Sequence, residues 1–204
     1  HLIWGQLGHL AVIVSMIAAL FAALSFFIAE KKKSVDEQIS WQRFAKWFFF
    51  LQGIATVLIV VFLFIIIKSH FFEYNYAWEH TNKVLPNKYL LAAFWEGQEG
   101  SFLLWMFWDV VLGIILFFTL REWRSAVLAV ISVVQAFLSS MLLGIFFFGY
   151  KVGSNPFMLL RDAMEGAPIF KRADYLSYIT DGNGLNPLLQ NYWMVIHPPV
   201  LFLG

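Results

Sequence analysis

The sequence predicts an all-α fold, a polytopic bundle of transmembrane helices with long loops on its outer side. Apolar residues make up 60% of the 204 residues and charged residues 13%, whereas a soluble domain carries about 25% charged residues. Four apolar segments have the ~20-residue length that a helix needs to cross a bilayer. The formal charge of +1, without a basic stripe, gives no sign of a nucleic-acid partner. No cysteine is present, which excludes disulfides and thiolate metal sites within this chain.

The predicted spans are helices, because a lone strand cannot satisfy its backbone hydrogen bonds in lipid. They cover about residues 7–28, 47–67, 101–120 and 126–149, and a fifth begins near His197. Two long loops, 68–100 and 150–196, lie between them. We interpret residues 1–204 as a single membrane domain that is a fragment of a longer protein or one piece of a split one. The reason is that the chain starts without methionine and stops within an apolar run.

Basic residues set the expected orientation. The connections after the first and third predicted spans carry Lys31, Lys32, Lys33, Arg43, Lys46, Arg121 and Arg124. Short connections rich in lysine and arginine stay on the cytoplasmic side. The N-terminus and both long loops are therefore predicted on the outer face, and all candidate chemistry lies there.

His197 is the first candidate site residue, because it precedes Pro198 and Pro199 at the predicted start of the fifth span. Imidazole is a ligand for haem iron, zinc and copper, and the prolines restrict the backbone beside it. The alternative is a helix-start histidine that only hydrogen-bonds a loop. The other histidines considered show no zinc-ligand spacing: His70 and His80 are expected to be solvated loop histidines, and His9 a buried or interfacial hydrogen-bonding residue.

A glycine-rich acidic stretch precedes the third predicted span. It contains Trp95, Glu96, Gly97, Glu99, Gly100 and Ser101. If the stretch is helical, Glu96 and Glu99 lie one turn apart on a shared face, where two carboxylates could bind a cation, relay protons or dock an arginine. The glycines would admit a close backbone or a flat ligand. Interfacial solvation with glycine-mediated helix packing is the other interpretation, and spacing alone favours it.

Asp109 is an acidic residue inside the third predicted span. An ionised carboxylate there costs roughly 3 kcal/mol unless it has a partner. Gln135, at comparable depth in the fourth span, could supply an amide hydrogen bond, with three further candidates: Ser132, Ser139 and Ser140. Both a proton relay and a protonated carboxyl that joins two helices fit this pattern.

Three motifs together resemble a known family. The stretch from Trp95 to Trp105 looks like the tryptophan-to-glycine-serine motif of cytochrome c maturation proteins of the CcmF type, including the NrfE branch. Residues 155–157, Asn-Pro-Phe, are similar to the family's short outer-loop motif. Residues 181–190 and the following residues 197–199 resemble its most distinctive segment. That segment includes Asn186, Pro187, Gln190, His197, Pro198 and Pro199.

The resemblance implies a haem-handling subunit of the bacterial inner membrane, part of a haem lyase, with its N-terminus and functional loops in the periplasm. This chain would be the N-terminal part of that larger protein. Such proteins receive haem from a membrane-tethered chaperone of the CcmE type. With a thiol-handling partner of the CcmH type, they attach it to apocytochrome c. The resemblance makes His197 one of two outer-face axial ligands of the haem iron, with haem b as substrate or bound cofactor.

One position departs from the family pattern, and one stretch only superficially resembles part of it. Gln98 stands where many relatives have histidine, so we assign no ligand role there. The tryptophan-containing stretch 105–109 precedes His197 and lacks the surroundings of the family's tryptophan-rich segment, so we do not interpret it as that segment.

Three other functions remain open at this point. A membrane transporter or haem exporter would share the apolar spans, but it should show paired broken helices at the midplane, and the sequence shows none. A proton-conducting respiratory-chain subunit would use Asp109 and Glu99 in a proton path. A scaffold would organise partners, beside the membrane lipid itself, without binding haem.

Overall fold

The computed structural model describes residues 1–148, 150–164, 166–172 and 174–203. In chain order its helices are α1 (Leu2–Lys31), α2 (Val35–Lys68), α3 (Asn75–His80), α4 (Leu90–Glu96), α5 (Gln98–Thr119), α6 (Arg124–Leu143), α7 (Leu160–Ala163) and α8 (Tyr192–Leu203). Short 3₁₀ turns cover Asn87–Tyr89, Pro168–Lys171, Tyr175–Ser177 and Pro187–Leu189. The four longest helices, α1, α2, α5 and α6, are long and apolar enough to cross a membrane. The predicted all-α membrane bundle is confirmed.

The connection between α1 and α2 is shorter than the sequence suggested. Helix α2 begins at Val35, and only residues 32–34 separate it from α1. At 1.5 Å per residue, its 34 residues reach about 51 Å, well beyond a hydrocarbon core of about 30 Å. The charged stretch 35–46, predicted as a surface link, is therefore the first three turns of α2.

Helix α6 ends six residues before the predicted boundary at residue 149. Its last residue is Leu143, and Gly144 follows with φ 65° and ψ 54°, a left-handed conformation that glycine adopts without steric cost. Beyond it, β1 (Ile145–Phe147) pairs antiparallel with β2 (Tyr150–Val152), with Phe146 opposite Lys151. The apolar composition continues through this hairpin, so hydropathy alone extended the span too far.

Helix α1 packs along α2 and α6 through a face of small residues. The buried small residues of this face are Ala11, Ser15, Ala18, Ala19, Ala22, Ala23, Ser25 and Ala29, whereas Gly5 and Gly8 lie against Tyr74 and Phe157. Lipid tails are as apolar as leucine, so helices in a bilayer associate through close backbone approach, and small side chains permit it. This packing makes α1 the centre of the bundle.

The two long connections, residues 69–97 and 144–191, meet at one end of the bundle, called here the loop end. An antiparallel bridge pairs Tyr74 with Leu159, and the Leu160 N–H donates to the Glu73 carbonyl at 2.8 Å. The Tyr74 hydroxyl in turn accepts the Gly5 N–H at 3.0 Å. The loop end is consequently attached to α1 at its first turns.

Candidate functional site

The acidic glycine-rich motif forms a break between two helices. Helix α4 ends at Glu96, Gly97 has extended backbone angles, and α5 begins at Gln98. The shared face that Glu96 and Glu99 would have in one unbroken helix does not form, because the two residues lie on different helices. We call residues 94–101 the junction.

Tyr76 of α3 holds the junction together. Its buried hydroxyl donates to the Phe94 carbonyl at 2.7 Å and accepts the Gly97 N–H at 3.2 Å. Burial raises the pKa of the Tyr76 phenol well above its ordinary value of 10.0, and the charges of Glu99 and Glu96 act in the same direction. The phenol thus stays protonated and remains a donor to Phe94.

The junction glycines are required by close backbone approach. A Cβ at Gly100 would lie 1.8 Å from the Phe94 carbonyl oxygen, and one at Gly97 would lie 2.6 Å from the Tyr76 ring. Ser101 completes the turn, since its hydroxyl donates to the Trp95 carbonyl at 3.1 Å. These two glycines pack the junction tightly, as the helix-packing interpretation expected, but against backbone and Tyr76 rather than against a ligand.

Glu96 joins the junction to both long connections. Its Oε2 lies 2.8 Å from Nδ1 of His80, and its Oε1 accepts the Asn186 N–H at 3.2 Å. Both side chains of the pair are mostly covered, at 16% exposure for His80 and 15% for Glu96. His80, expected as a solvated loop histidine, is instead a structural partner of the motif.

The segment 181–184 docks on the end of α3. The Asn183 N–H donates to the Trp78 carbonyl at 2.8 Å, and Asp181 Oδ1 accepts the Lys83 N–H at 2.9 Å. That hydrogen bond holds the pKa of Asp181 below its ordinary value of 3.8, because it favours the ionised carboxylate. A Cβ at Gly182 would lie 2.1 Å from the Thr81 carbonyl oxygen, which explains the glycine.

Residues 186–191 shape the approach to α8. Asn186 Oδ1 accepts the Leu188 N–H at 3.0 Å, with Pro187 as the first residue of the 3₁₀ turn. The Gln190 amide donates to the Leu185 carbonyl at 3.0 Å. Asn191 Oδ1 then accepts the Met194 N–H, as an N-cap residue does. These side chains are local turn and cap residues.

Helix α8 begins at Tyr192, five residues before the expected start at His197, and contains both Pro198 and Pro199. Proline has no N–H, so Pro198 leaves the Met194 carbonyl without its helical donor. The Trp95 indole N–H donates to that same carbonyl at 3.1 Å. The motif that begins at Trp95 therefore contacts the motif that ends in α8 at one atom, the Met194 carbonyl oxygen.

His197 lies on the exposed face of α8. Among the described residues it makes no hydrogen bond or ion pair. Trp193 and Leu201 lie one turn before and one turn after it and are 74% and 62% exposed, and residues four apart share a helix face. An imidazole between two exposed apolar side chains fits one face of a haem, which needs an axial nitrogen and apolar walls.

The structure does not bring Asp109 and Gln135 together. The Gln135 amide donates to Thr56 Oγ1 at 2.7 Å, whereas Asp109 Oδ2 has no hydrogen-bond partner among the described residues. Ser139 bonds Ser15 at 3.2 Å and thus joins the same cluster as Thr56. The expected polar pair between the third and fourth spans is wrong, and the polar contacts link α1, α2 and α6 instead.

Of the three serines proposed as partners for Asp109, none bonds it. Ser132 Oγ is buried without a partner in the described part of the chain, and Ser140 donates to the Phe137 carbonyl.

His9 is a hydrogen-bonding histidine, as expected: its Nδ1 lies 2.7 Å from the Asn155 amide of the Asn-Pro-Phe motif. The tryptophan-containing stretch 105–109 is part of α5.

Comparison with known proteins identifies the family. No family model matches the chain, and no solved structure matches it. Among curated proteins, the cytochrome c-type biogenesis protein CcmF of Pseudomonas aeruginosa is 30% identical over 98% of this chain. The cytochrome c-type biogenesis protein NrfE of Haemophilus influenzae is 28% identical over 98% of it. The chain belongs to the CcmF, NrfE and CycK family.

The CcmF, NrfE and CycK relatives are much longer than this chain. It spans 27% of the length of the Pseudomonas aeruginosa CcmF and 28% of the Haemophilus influenzae NrfE. It spans 26% of the cytochrome c-type biogenesis protein CycK of Rhizobium meliloti, which is 26% identical. The match confirms the resemblance carried by the motifs. With its four apolar helices, the chain is a multi-pass membrane protein.

Two α3 side chains organise the junction, and sequence reasoning missed Tyr76 and expected His80 to be solvated. Their spacing of four residues places them on one helix face, and their ring centroids lie 4.4 Å apart. That spacing was the available signal. It did not show which face of this six-residue helix would be covered, because the covering residues lie 16 or more positions away along the chain.

Proposed function

We propose that this chain takes part in cytochrome c maturation by binding haem as a substrate on the outer face of the inner membrane. The observation that carries the proposal is the exposed imidazole of His197, between apolar Trp193 and Leu201 on α8. Family membership supports it, because the relatives are cytochrome c-type biogenesis proteins. Haem b supplies the iron that His197 would ligate and the vinyl groups to which the cytochrome thiols add.

The chain's own residues would bind and orient that substrate. His197 would ligate the iron through a neutral imidazole nitrogen, while Trp193 and Leu201 would pack on the porphyrin and reduce access of water. A second axial ligand and the haem-attachment reaction itself would require residues outside this chain.

The basic residues support the proposed sidedness. Lys31, Lys32, Lys33, Arg121 and Arg124 lie at the end of the bundle opposite the loop end, as expected for a cytoplasmic face. The loop end would then lie in the periplasm. There it would meet a haem chaperone of the CcmE type, a thiol-handling partner of the CcmH type, and the apocytochrome, with membrane lipid around the bundle.

No observation favours the alternative functions. The four long helices are continuous, and the break at Gly97 lies at the loop end rather than at the midplane, unlike the broken helices of transporters. Asp109 and Glu99 are ten residues apart on α5, about 15 Å along the axis. Among the described residues, no hydrogen bond of Asp109 Oδ2 begins a proton path.

The test is the absorption spectrum of the complete protein, purified with haem, for wild type and His197→Ala. We expect the substitution to abolish the low-spin haem signal and cytochrome c maturation in cells. His70→Asn is the matched control, because His70 has φ 51° and asparagine tolerates that conformation. If His197→Ala retains both the spectrum and maturation, the haem-ligand role is overturned and the scaffold function is favoured.

A further inference from the structure

We infer that Trp95 and Glu96 are positioning residues that form a two-point anchor for α8 and so fix the place of His197. The inference rests on the proposed function, since His197 is the ligand that the anchor would orient. Trp95 contacts the backbone of α8, and Glu96 contacts the turn that leads into it.

The first point of the anchor depends on Pro198. In an uninterrupted helix the N–H of residue 198 would donate to the carbonyl of residue 194, and proline removes that donor. The Trp95 indole N–H replaces it at 3.1 Å from the Met194 oxygen. His197 lies three residues after Met194, about 4.5 Å along the helix axis. A shift of this contact would therefore displace the imidazole directly.

The second point is the carboxylate of Glu96. One oxygen lies 2.8 Å from His80 Nδ1 and the other accepts the Asn186 N–H at 3.2 Å. If His80 Nδ1 carries the proton, each Glu96 oxygen accepts one hydrogen bond, one from His80 and the other from the Asn186 N–H. His80 ends α3 and Asn186 begins the turn before α8. Glu96 thus couples a fixed helix to the segment that carries His197.

Hydrogen bonds matter here because α8 is held by little packing. None of the described residues in its 12-residue length is buried, in contrast to the other long helices. Partial contacts come from Val195 on the core and from Phe202, whose ring lies 5.2 Å from Trp105. With so little buried area, the directional contacts at Met194 and Asn186 decide the orientation of α8.

The chemistry of Glu96 offers a conservative variant. In Glu96→Gln, the amide oxygen can still accept the Asn186 N–H, and the amide nitrogen can donate to His80 Nδ1 if the imidazole changes tautomer. The anchor is then preserved without the charge. In Glu96→Ala both contacts are lost. Glu79→Ala is the matched control, because its carboxylate lies 3.9 Å from the His80 ring and does not touch α8.

The first experiment measures haem affinity of the complete protein by spectral titration. We expect Trp95→Phe and Glu96→Ala each to weaken binding by about 10- to 100-fold, as the loss of a residue that orients a metal ligand does. Glu96→Gln and Glu79→Ala should bind haem like the wild type. Wild-type affinity in Trp95→Phe and Glu96→Ala would overturn the anchor.

A double-mutant cycle tests the link between Trp95 and Pro198. Pro198→Ala restores a helical N–H that competes for the Met194 carbonyl. Because the restored N–H satisfies the Met194 carbonyl, losing the Trp95 donor should cost less in the Pro198→Ala background, so the loss in Trp95→Phe/Pro198→Ala should be smaller than the product of the two single losses. Losses that multiply would show that the two residues act separately and would contradict this point of the anchor.

A second experiment does not depend on haem. This chain has no cysteine, so spin labels on cysteines introduced at Lys88 and Val200 report the distance between the loop end and α8. We expect one narrow distance distribution in the wild type and a broad one in Glu96→Ala and Trp95→Phe. An unchanged narrow distribution would overturn the anchor. A haem spectrum unaffected by His197→Ala would instead overturn the proposed function, whatever the labels report.

Discussion

The interior of the bundle and the loop end both depend on small residues, but for different reasons. In α1, the small residues follow one helix face and let α2 and α6 approach. At the junction, Gly97 and Gly100 are each required by one specific contact, because a Cβ would clash with the Tyr76 ring or with the Phe94 carbonyl. The interior packs through a continuous helix face of small residues, whereas each junction glycine is required by its own specific contact.

The polar groups differ in the same way. In the interior, Thr56 of α2 contacts side chains from two other helices, the Gln135 amide at 2.7 Å and the Ser15 hydroxyl at 3.3 Å. At the loop end, polar side chains such as Tyr76 and Glu96 bind free backbone groups. The lesson is that interior contacts hold equivalent helices together, while loop-end contacts replace the hydrogen bonds that helix breaks remove.

The largest effect is expected at the junction. Gly100→Ala places a methyl group 1.8 Å from the Phe94 carbonyl oxygen. The ends of α4 and α5 cannot move apart to make room without breaking the hydrogen bonds of Tyr76 to Phe94 and Gly97. Overpacking of this kind costs about 1–3 kcal/mol, occasionally more. Thermal unfolding in detergent should show a clear loss of stability.

Gly53→Ala is the control for that change. Its Cβ would lie 3.3 Å from a Val110 methyl group, and a side chain can move by the few tenths of an ångström required. We expect near wild-type stability. Equal destabilisation by both substitutions would contradict the distinction between the required junction glycines and the bundle face.

An intermediate effect is expected in the bundle interior. Thr56→Val keeps the side-chain shape but leaves the buried Gln135 amide without its acceptor. Hydrogen bonds between membrane helices contribute about 0.6–1.7 kcal/mol, so a loss in that range should appear in thermal unfolding. Thr119→Val should change little, because Thr119 is exposed and bonds only the Ile115 carbonyl. Loss of haem binding without loss of stability would speak against this account.

The smallest effect is a pH dependence at the loop end. The pKa of Asp181 lies below its ordinary value of 3.8 in the folded chain. The ionised group therefore stabilises docking above that value, and the contribution is lost as the pH falls below it. Hydrogen exchange of the Lys83 N–H, corrected for intrinsic rate, should show less protection at about pH 3 than at about pH 6.

In Asp181→Asn the difference between these two pH values should disappear, since the amide oxygen still accepts the Lys83 N–H without titrating. A pH dependence that persists in this variant would assign it to another group. The docking of segment 181–184 would then not depend on the charge of Asp181.

Sequence patterns predicted the bundle better than the site. Apolar length found all four long helices, although the end of α6 depended on Gly144, whose left-handed conformation hydropathy does not report. The spacing of Glu96 and Glu99 predicted a shared face only on the assumption of an unbroken helix. The Asp109–Gln135 pair failed because equal depth does not fix which way two helices face.

The motif residues were found, but their partners were not. His197, Trp95 and Glu96 were identified from local patterns and from the family resemblance. The contacts of Trp95 with Met194 and of Glu96 with His80 span 99 and 16 positions, and no local periodicity records such pairs. The haem-ligand role of His197 stays a prediction until its spectrum is measured.

The amino-acid sequence by itself determined the membrane bundle, since the length and apolar character of a segment fix whether a helix can cross a bilayer. It also determined that a helix through Pro198 loses one hydrogen bond. Only the tertiary structure decided that α6 ends just before Gly144 and which donor replaces the one missing at Pro198. A free carbonyl accepts whichever donor the fold brings within about 3 Å, and here that donor is the Trp95 indole.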